Sequence, residues 1–198
     1  MLDKIEIEQK TGNESLTFNK KELGIKLIDF WKWSVSDLVS NATRGRFAEF
    51  IVATALKVDL TKIRDEWSAY DLESPEGIKV EVKSSAYLQS WNQRKLSEIS
   101  FDIKATRKVI GDSGTYSETP TREADVYVFC LLNHTDKKTV EPLNLDQWEF
   151  FVLSTPEIDN YKRSQSSITL NSLTKLAKRI TYETLRDTVI EQYGRYKK

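Results

Sequence analysis

A chain of 198 residues with 30% charged and 11% aromatic side chains can bury most of its apolar surface, which excludes a disordered or low-complexity chain. Lys plus Arg equals Asp plus Glu at 30 each, so no global basic excess coats a nucleic acid, and any phosphate partner must be met by a local cluster. A single Cys, a single His and no apolar run near the roughly 18 residues of a membrane span exclude a disulfide, His- or Cys-based zinc chemistry and a spanning helix. With the acidic start Met1-Leu-Asp-Lys-Ile-Glu, this is the pattern expected of a cytoplasmic protein.

Residues 4 to 8, Lys-Ile-Glu-Ile-Glu, alternate like a short strand or arm. From about 20 to 39, Leu23, Leu27, Trp31, Val35 and Leu38 return at helical spacing and predict a helix. Asn41 or Thr43 can cap a second helix running to about Leu56. Its stripes, Phe47-Ile51-Ala55 and Val52-Ala53-Leu56, make it apolar on two sides and therefore largely buried. Glu49 lies one turn before Ala53, so its carboxylate points towards packed structure. A helix dipole also favours a Glu early in a helix.

Asp71-Leu-Glu-Ser-Pro-Glu-Gly-Ile-Lys-Val-Glu-Val-Lys83 reads as a β-hairpin around the turn Ser74-Pro-Glu-Gly77. On its second strand Ile78, Val80 and Val82 share one face, and Lys79, Glu81 and Lys83 the other. The turn can return Glu81 and Lys83 close to Asp71, with the helix of Glu49 covering or edging the charged side. Two carboxylates and an ammonium would then converge on one patch, a set suited to a hard divalent cation and a water beside a phosphate. The alternative for the same residues is a cross-strand ion pair on an exposed sheet, which contributes little. Glu73 competes with Asp71 for the first position but lies at the rim of the turn.

Ser84 to Lys95 predicts a short helix or ordered loop, and Ile99, Phe101 and Ile103 a third strand. Residues 105 to 123 lack periodicity and read as a long loop. Ala124 to Leu132 is a continuous apolar run, the pattern of a central strand, with Cys130 as a buried structural thiol. Asn133 to Asp136, which holds His134, is a surface turn, and Trp148 to Leu153 another strand. Leu173, Leu176, Ala177 and Ile180 suggest a helix, and Thr181 caps a last one bearing Leu185, Val189 and Tyr193. No repeat or linker interrupts the chain. We expect one α/β domain over 1–198, a mixed central sheet flanked by helices, with a core at about 44–153 and helices 20–39 and 172–196 packed on it.

Asp71, then Glu81-Val82-Lys83, preceded by a helix carrying Glu49 in Arg44-Gly-Arg-Phe-Ala-Glu49, resembles the PD-(D/E)xK nucleases with the restriction-endonuclease-like fold. Tyr70 stands where the signature has Pro, and the resemblance spans about residues 44 to 132. It implies a Mg²⁺-dependent phosphodiesterase acting on nucleic acid, most naturally DNA, with Mn²⁺ able to substitute. Asp71, Glu81, the Val82 carbonyl and Glu49 would ligate the metal, and Lys83 would position water and stabilise phosphoryl charge. Gln89 matches the polar residue that many such nucleases place after the Lys. Arg44, Arg46, Ser85, Arg94 and Lys95 are further candidates to meet substrate. Gln93 can join them, as can Lys79, Lys104, Arg107 and Lys108, while Trp67, Tyr70, Tyr87 and Trp91 could stack on unpaired bases. Cutting both strands of a duplex would suggest a homodimer. Rival classes are an inactive nucleic-acid-binding or scaffold protein on the same fold, and an enzyme of small phosphates. The intact Asp, Glu and Lys oppose the first, and the absence of a Gly-rich phosphate loop opposes the second.

Overall fold

The computed structural model describes residues 5–107, 109–110 and 115–196. Ile5 to Lys10 are exposed without regular structure, so the expected strand at 4–8 is absent there, and Lys4 lies outside the described residues. Strands β1 (Ser15–Phe18) and β2 (Lys21–Lys26) form an antiparallel hairpin with Phe18 opposite Lys21. Its two turn residues, Asn19 and Lys20, both take positive φ (49° and 63°), the mirror-image turn whose twist matches that of paired strands. The helix expected at 20–39 is therefore confined to α1 (Leu27–Val35). The helical spacing of Leu23 and Leu27 straddles a strand-to-helix junction. That junction is held by Asp29, whose carboxylate accepts the Lys26 N–H at 2.9 Å. Gly12 (φ 91°) passes against α1, where an added Cβ would lie 2.8 Å from the Trp31 ring.

Helix α2 (Asn41–Ala55) begins one residue after Ser40, which holds the cap position instead of Asn41 or Thr43. Ala48, Ile51, Val52 and Ala53 are buried along it. After it come β3 (Leu72–Glu73), β4 (Lys79–Ala86), β5 (Ser100–Asp102), β6 (Val109–Ile110) and β7 (Thr115–Tyr116). The last two pair antiparallel inside the stretch expected to be a loop. Then follow β8 (Val126–Leu132), β9 (Trp148–Ser154), α3 (Thr155–Asp159), β10 (Ser167–Thr169), α4 (Leu170–Leu176) and α5 (Tyr182–Tyr196). The helix expected to run to Ile180 stops at Leu176, and Ile180 instead bridges to Phe150 at 2.9–3.0 Å. Neither β10 nor α3 was expected.

The central sheet has the order β3-β4-β8-β9 and is mixed, because β4 and β8 are parallel while the outer pairs are antiparallel. Its two faces carry separate cores. Val80, Val82, Val126, Val128, Phe150 and Val152 pack under α2 and α5. Tyr127, Phe129, Leu131, Phe151 and Leu153 pack under the β5–β10 ribbon, α3 and α4. Strand β5, expected simply as a third strand, lies outside the central sheet and pairs with β10. Burial on both faces explains why β8 reads VYVFCLL with no charged side chain, all seven residues being buried. Among the described residues no helix is long and apolar enough to cross a membrane.

Candidate active site

Alternation along β4 sorts its side chains as the sequence predicts. Ile78, Val80 and Val82 are 8% exposed or less and face the α2 core. Lys79, Glu81, Lys83 and Ser85 are half-buried on the other face. In register with them on β8 stand Tyr127, Phe129 and Leu131. The charged row therefore lies at the margin of the second core, where water is partly excluded.

The turn brings Asp71 to this row. Gly77 takes φ 76° and its N–H donates to the Ser74 carbonyl at 2.9 Å, while the Ser74 N–H donates to the Ile78 carbonyl at 3.0 Å. The strand pairing then runs past Leu72. The Asp71 N–H donates to the Val80 carbonyl at 3.1 Å, and the Val82 N–H donates to Asp71 Oδ2 at 2.8 Å. That second bond fixes the Asp71 carboxylate against the Glu81–Lys83 segment. Glu73, its rival, turns away and accepts the Tyr70 hydroxyl at 2.7 Å.

Lys83 Nζ lies 2.6 Å from Glu81 Oε1, with both side chains less than a third exposed. Burial raises the Glu81 pKa, the Asp71 and Glu49 carboxylates raise it further, and Lys83 only partly opposes them. Burial works against the Lys83 ammonium, but Glu81, followed by Asp71 and Asp102, holds its pKa above the usual lysine value. The pair therefore carries more negative charge nearby than one ammonium offsets. The Tyr127 hydroxyl, raised by burial and by Glu81, stays a neutral phenol beside it.

Helix α2 packs on the Val80 face, so it edges the charged row and does not cover it. Glu49, 13% exposed, comes to that edge and is met by Arg64, a residue that sequence reasoning missed. Arg64 Nε donates to Glu49 Oε2 and Nη2 donates to Oε1 at 3.2 Å, while Nη2 lies 3.8 Å from Asp71 Oδ1. Burial raises the Glu49 pKa, Arg64 pulls it back and Asp71 adds to the rise. Among the described residues no three His, Cys, Asp or Glu side chains gather as a ready metal cluster. A guanidinium stands between two of the three candidate carboxylates. Asp71 and Glu81, with Glu49 one arginine away, are oxygen donors with excess negative charge, a donor set that fits a hard divalent cation.

A model of the bacteriophage T4 endonuclease IV family matches residues 26–172, almost three quarters of the chain and every residue of this site. The chain belongs to the bacteriophage T4 endonuclease IV family. Among solved structures, a bacterial homing endonuclease, I-Ssp6803I, is 20% identical over 80% of this chain and 96% of its own, with a TM-score of 0.41. No curated protein matches.

In this endonuclease-family chain several other candidates have different surroundings from those expected. Arg44 is a correction: it is 4% exposed, and donates to Val39 O at 2.9 Å, Asn41 Oδ1 at 2.8 Å and Ser84 Oγ at 3.2 Å. These bonds tie the start of α2 to β4 and leave it no phosphate. Gln93 is a second correction. It accepts the Gln89 N–H at 2.7 Å and donates to Tyr87 O and Ser97 Oγ at 3.1 Å, holding the loop after β4 together. Gln89 is buried, and its amide nitrogen is spent on Ala86 O and Ser97 Oγ; its Oε1 has no hydrogen-bond partner among the described residues. Ser85 follows Lys83 on the charged face. Arg46 is exposed and pairs with Glu66 at 2.5 Å, and Lys95 pairs with Glu98 at 3.0 Å on the exposed loop that also carries Arg94. Lys79 lies over the Tyr70 ring, 5.3 Å from its centroid. Lys104 and Arg107 are exposed, and Lys108 lies outside the described residues. Trp67 and Trp91 are exposed. His134 accepts or donates at Thr139 in the surface turn, and Cys130 is fully buried, as expected.

Proposed function

We propose that this endonuclease-family protein is a divalent-cation-dependent DNA endonuclease that hydrolyses phosphodiesters at Asp71, Glu81 and Lys83, in the PD-(D/E)xK arrangement. The observation that carries this reading is the Val82 N–H bond to Asp71, which aligns one carboxylate with the Glu81–Lys83 pair on a single strand face. Asp71, Glu81 and the Val82 carbonyl, with Glu49, would hold Mg²⁺, or Mn²⁺ in its place. The bound ion supplies charge neutralisation at the phosphate and a water acidified towards neutral pH. Beside Glu81 and Asp71 the Lys83 ammonium is favoured in the metal-free protein. Its role is to hold the attacking water and to stabilise charge growing on the phosphoryl oxygens, an interaction strongest in the transition state. Arg46, Arg94, Lys95 and Ser85 would meet the DNA backbone, and cutting both strands would take two copies of the chain.

Circular substrates test this directly. Supercoiled plasmid and single-stranded circular DNA should be opened with Mg²⁺ or Mn²⁺ and left intact with EDTA, and only an endonuclease can open a circle. Asp71→Asn and Glu81→Gln should each abolish cleavage while preserving the circular-dichroism spectrum. Cleavage that survives both substitutions would place the chemistry elsewhere. Binding measured with Ca²⁺ in place of Mg²⁺ should weaken at low salt in the Arg94→Ala/Lys95→Ala variant. Its log-log salt slope should flatten by nearly one unit, about 0.9, for each duplex phosphate that the variant no longer neutralises.

A further inference from the structure

We propose that Arg64 is an exchangeable counter-ion: it bridges Glu49 and Asp71 in the metal-free protein, and turns to the scissile phosphate when a divalent cation takes its place. This rests on the reading of Asp71 and Glu81 as cation ligands. The guanidinium grips Glu49 through two nitrogens and reaches Asp71 at 3.8 Å, and it also approaches Glu66 at 3.9 Å. An ion bound by Glu49 and Asp71 would need their oxygens at roughly 2.0–2.6 Å. The guanidinium holds both Glu49 oxygens and stands 3.8 Å from Asp71 Oδ1, so it and the ion compete for the space between the two carboxylates.

Arg64 can leave. It sits on the irregular stretch between α2 and β3 and its side chain is 37% exposed, in contrast to Arg44 and Arg122, whose guanidiniums are locked by backbone carbonyls. It also borders a groove of about 1050 Å³ that runs past Glu49, Asp71, Tyr70 and Phe50. A planar fork released beside the ion matches two oxygens of a phosphate, which a lysine ammonium cannot do. The exchange brings charge into balance, because the divalent ion offsets the two carboxylates that one guanidinium only half offsets, and the freed guanidinium offsets the incoming phosphodiester. A fixed anchor between α2 and the 57–71 stretch is the competing role, and it makes opposite predictions.

The test separates metal affinity from turnover, using Arg64→Gln and Arg64→Lys. Binding of Mn²⁺ alone, followed by calorimetry without DNA, should become about two- to fivefold tighter in Arg64→Gln, as expected on removing a half-exposed competing ion pair. Single-turnover plasmid cleavage at saturating Mn²⁺ should fall about 10²-fold in the same variant. Arg64→Lys should keep near wild-type Mn²⁺ affinity yet recover only part of the rate. Weaker or unchanged Mn²⁺ binding in Arg64→Gln, or full cleavage at saturating metal, overturns the exchange. So does a loss of both together with a lowered melting temperature in both variants, which is the signature of an anchor. If Asp71→Asn and Glu81→Gln lose Mn²⁺ binding while Arg64→Gln behaves as wild type, the exchange fails alone. If they keep Mn²⁺ binding and cleavage, the site assignment itself fails.

Discussion

The central sheet and the N-terminal hairpin with its helix both carry large apolar side chains, and these end in opposite states. All seven residues of β8 are buried, whereas all six of β2 are exposed and α1 buries none. Phe18, Phe30 and Trp33 are 67%, 52% and 84% exposed, while Phe129, Phe150 and Phe151 are at 1% or less. Apolar residues in the sheet meet a packing partner on each face, whereas Leu16, Phe18, Leu23 and Ile25 of the hairpin stay 43–67% exposed. The family match also begins at residue 26, the last residue of the hairpin. Hydrophobicity is thus a poor guide to which segments stabilise this fold; the number of faces with a packing partner is a better one.

The largest effect that could break this comparison is a cavity in the sheet. Phe150→Ala should cost about 3–5 kcal/mol in urea unfolding, because the deleted ring leaves a void under α5. Phe18→Ala, removing the same ring from the hairpin, should change stability by no more than about 0.5 kcal/mol. Equal losses at the two positions would show that the hairpin is packed against something after all. Lys83→Ala comes next and acts on chemistry. It should lower the cleavage rate by about 10²–10³, the loss of one preorganised donor, with the unfolding midpoint changed far less than in Phe150→Ala. A rate within threefold of wild type, about 0.6 kcal/mol, would remove Lys83 from the mechanism.

The same contrast explains what could be read from the sequence. β4, β8, β9 and α2 were legible because each has a face, or two, committed to a core, and burial enforces a period of 2 or 3.6 on the pattern. The pairing of Asp71 with Glu81-Val82-Lys83 was legible because Ser74-Pro-Glu-Gly77 admits few geometries. Residues 20–26 misled because an exposed strand obeys no burial period, and two positive-φ residues, one a lysine, made a turn that carries no glycine. Arg64 left no signal at all. It lies in the aperiodic stretch Thr61-Lys-Ile-Arg-Asp-Glu66, and its partners, Glu49 and Asp71, become neighbours only through the tertiary fold. Arg44 shows the converse. Proximity in sequence to Glu49 suggested a phosphate ligand, but three hydrogen bonds and burial commit it to the scaffold.

Manganese binding sharpens the comparison further, since the ion should stabilise the sheet's edge and leave the hairpin alone. At 100 times its dissociation constant it should add about 2.7 kcal/mol to wild type. Asp71→Asn/Glu81→Gln should lose that gain, and Phe18→Ala should keep it. A gain retained in the double variant would locate the ion on other residues.

The smallest effect is a pH slope, and its sign follows from the raised Glu49 and Glu81 pKa values. In the unfolded chain these carboxyls titrate near their ordinary value of 4.5, and in the native state above it. Between the two, the native state binds more protons than the unfolded one, so their contribution to stability declines as pH rises through that window and stays lower above it. Lys83 adds nothing there, because its raised pKa gives stability that is complete below 10.5 and is lost only at higher pH. The groups facing the two carboxyls are Asp71, Lys83, Arg64 and Arg46, and the pair Glu49→Gln/Glu81→Gln takes the closest carboxylate from Arg64 and from Lys83, while Arg46 keeps Glu66. That penalty shifts the whole stability curve but not its slope between pH 4.5 and 7, since Lys83 and Arg64, whose pKa values are raised, stay charged across it. Melting temperatures of wild type and the double variant, taken across this range without metal, should therefore differ in slope, with wild type losing ground towards neutrality. Mn²⁺ at pH 7 should return the lost stability to wild type alone. Parallel curves would mean that the two carboxylates are solvated in the native state, and that the excess negative charge invoked to attract a cation is not there.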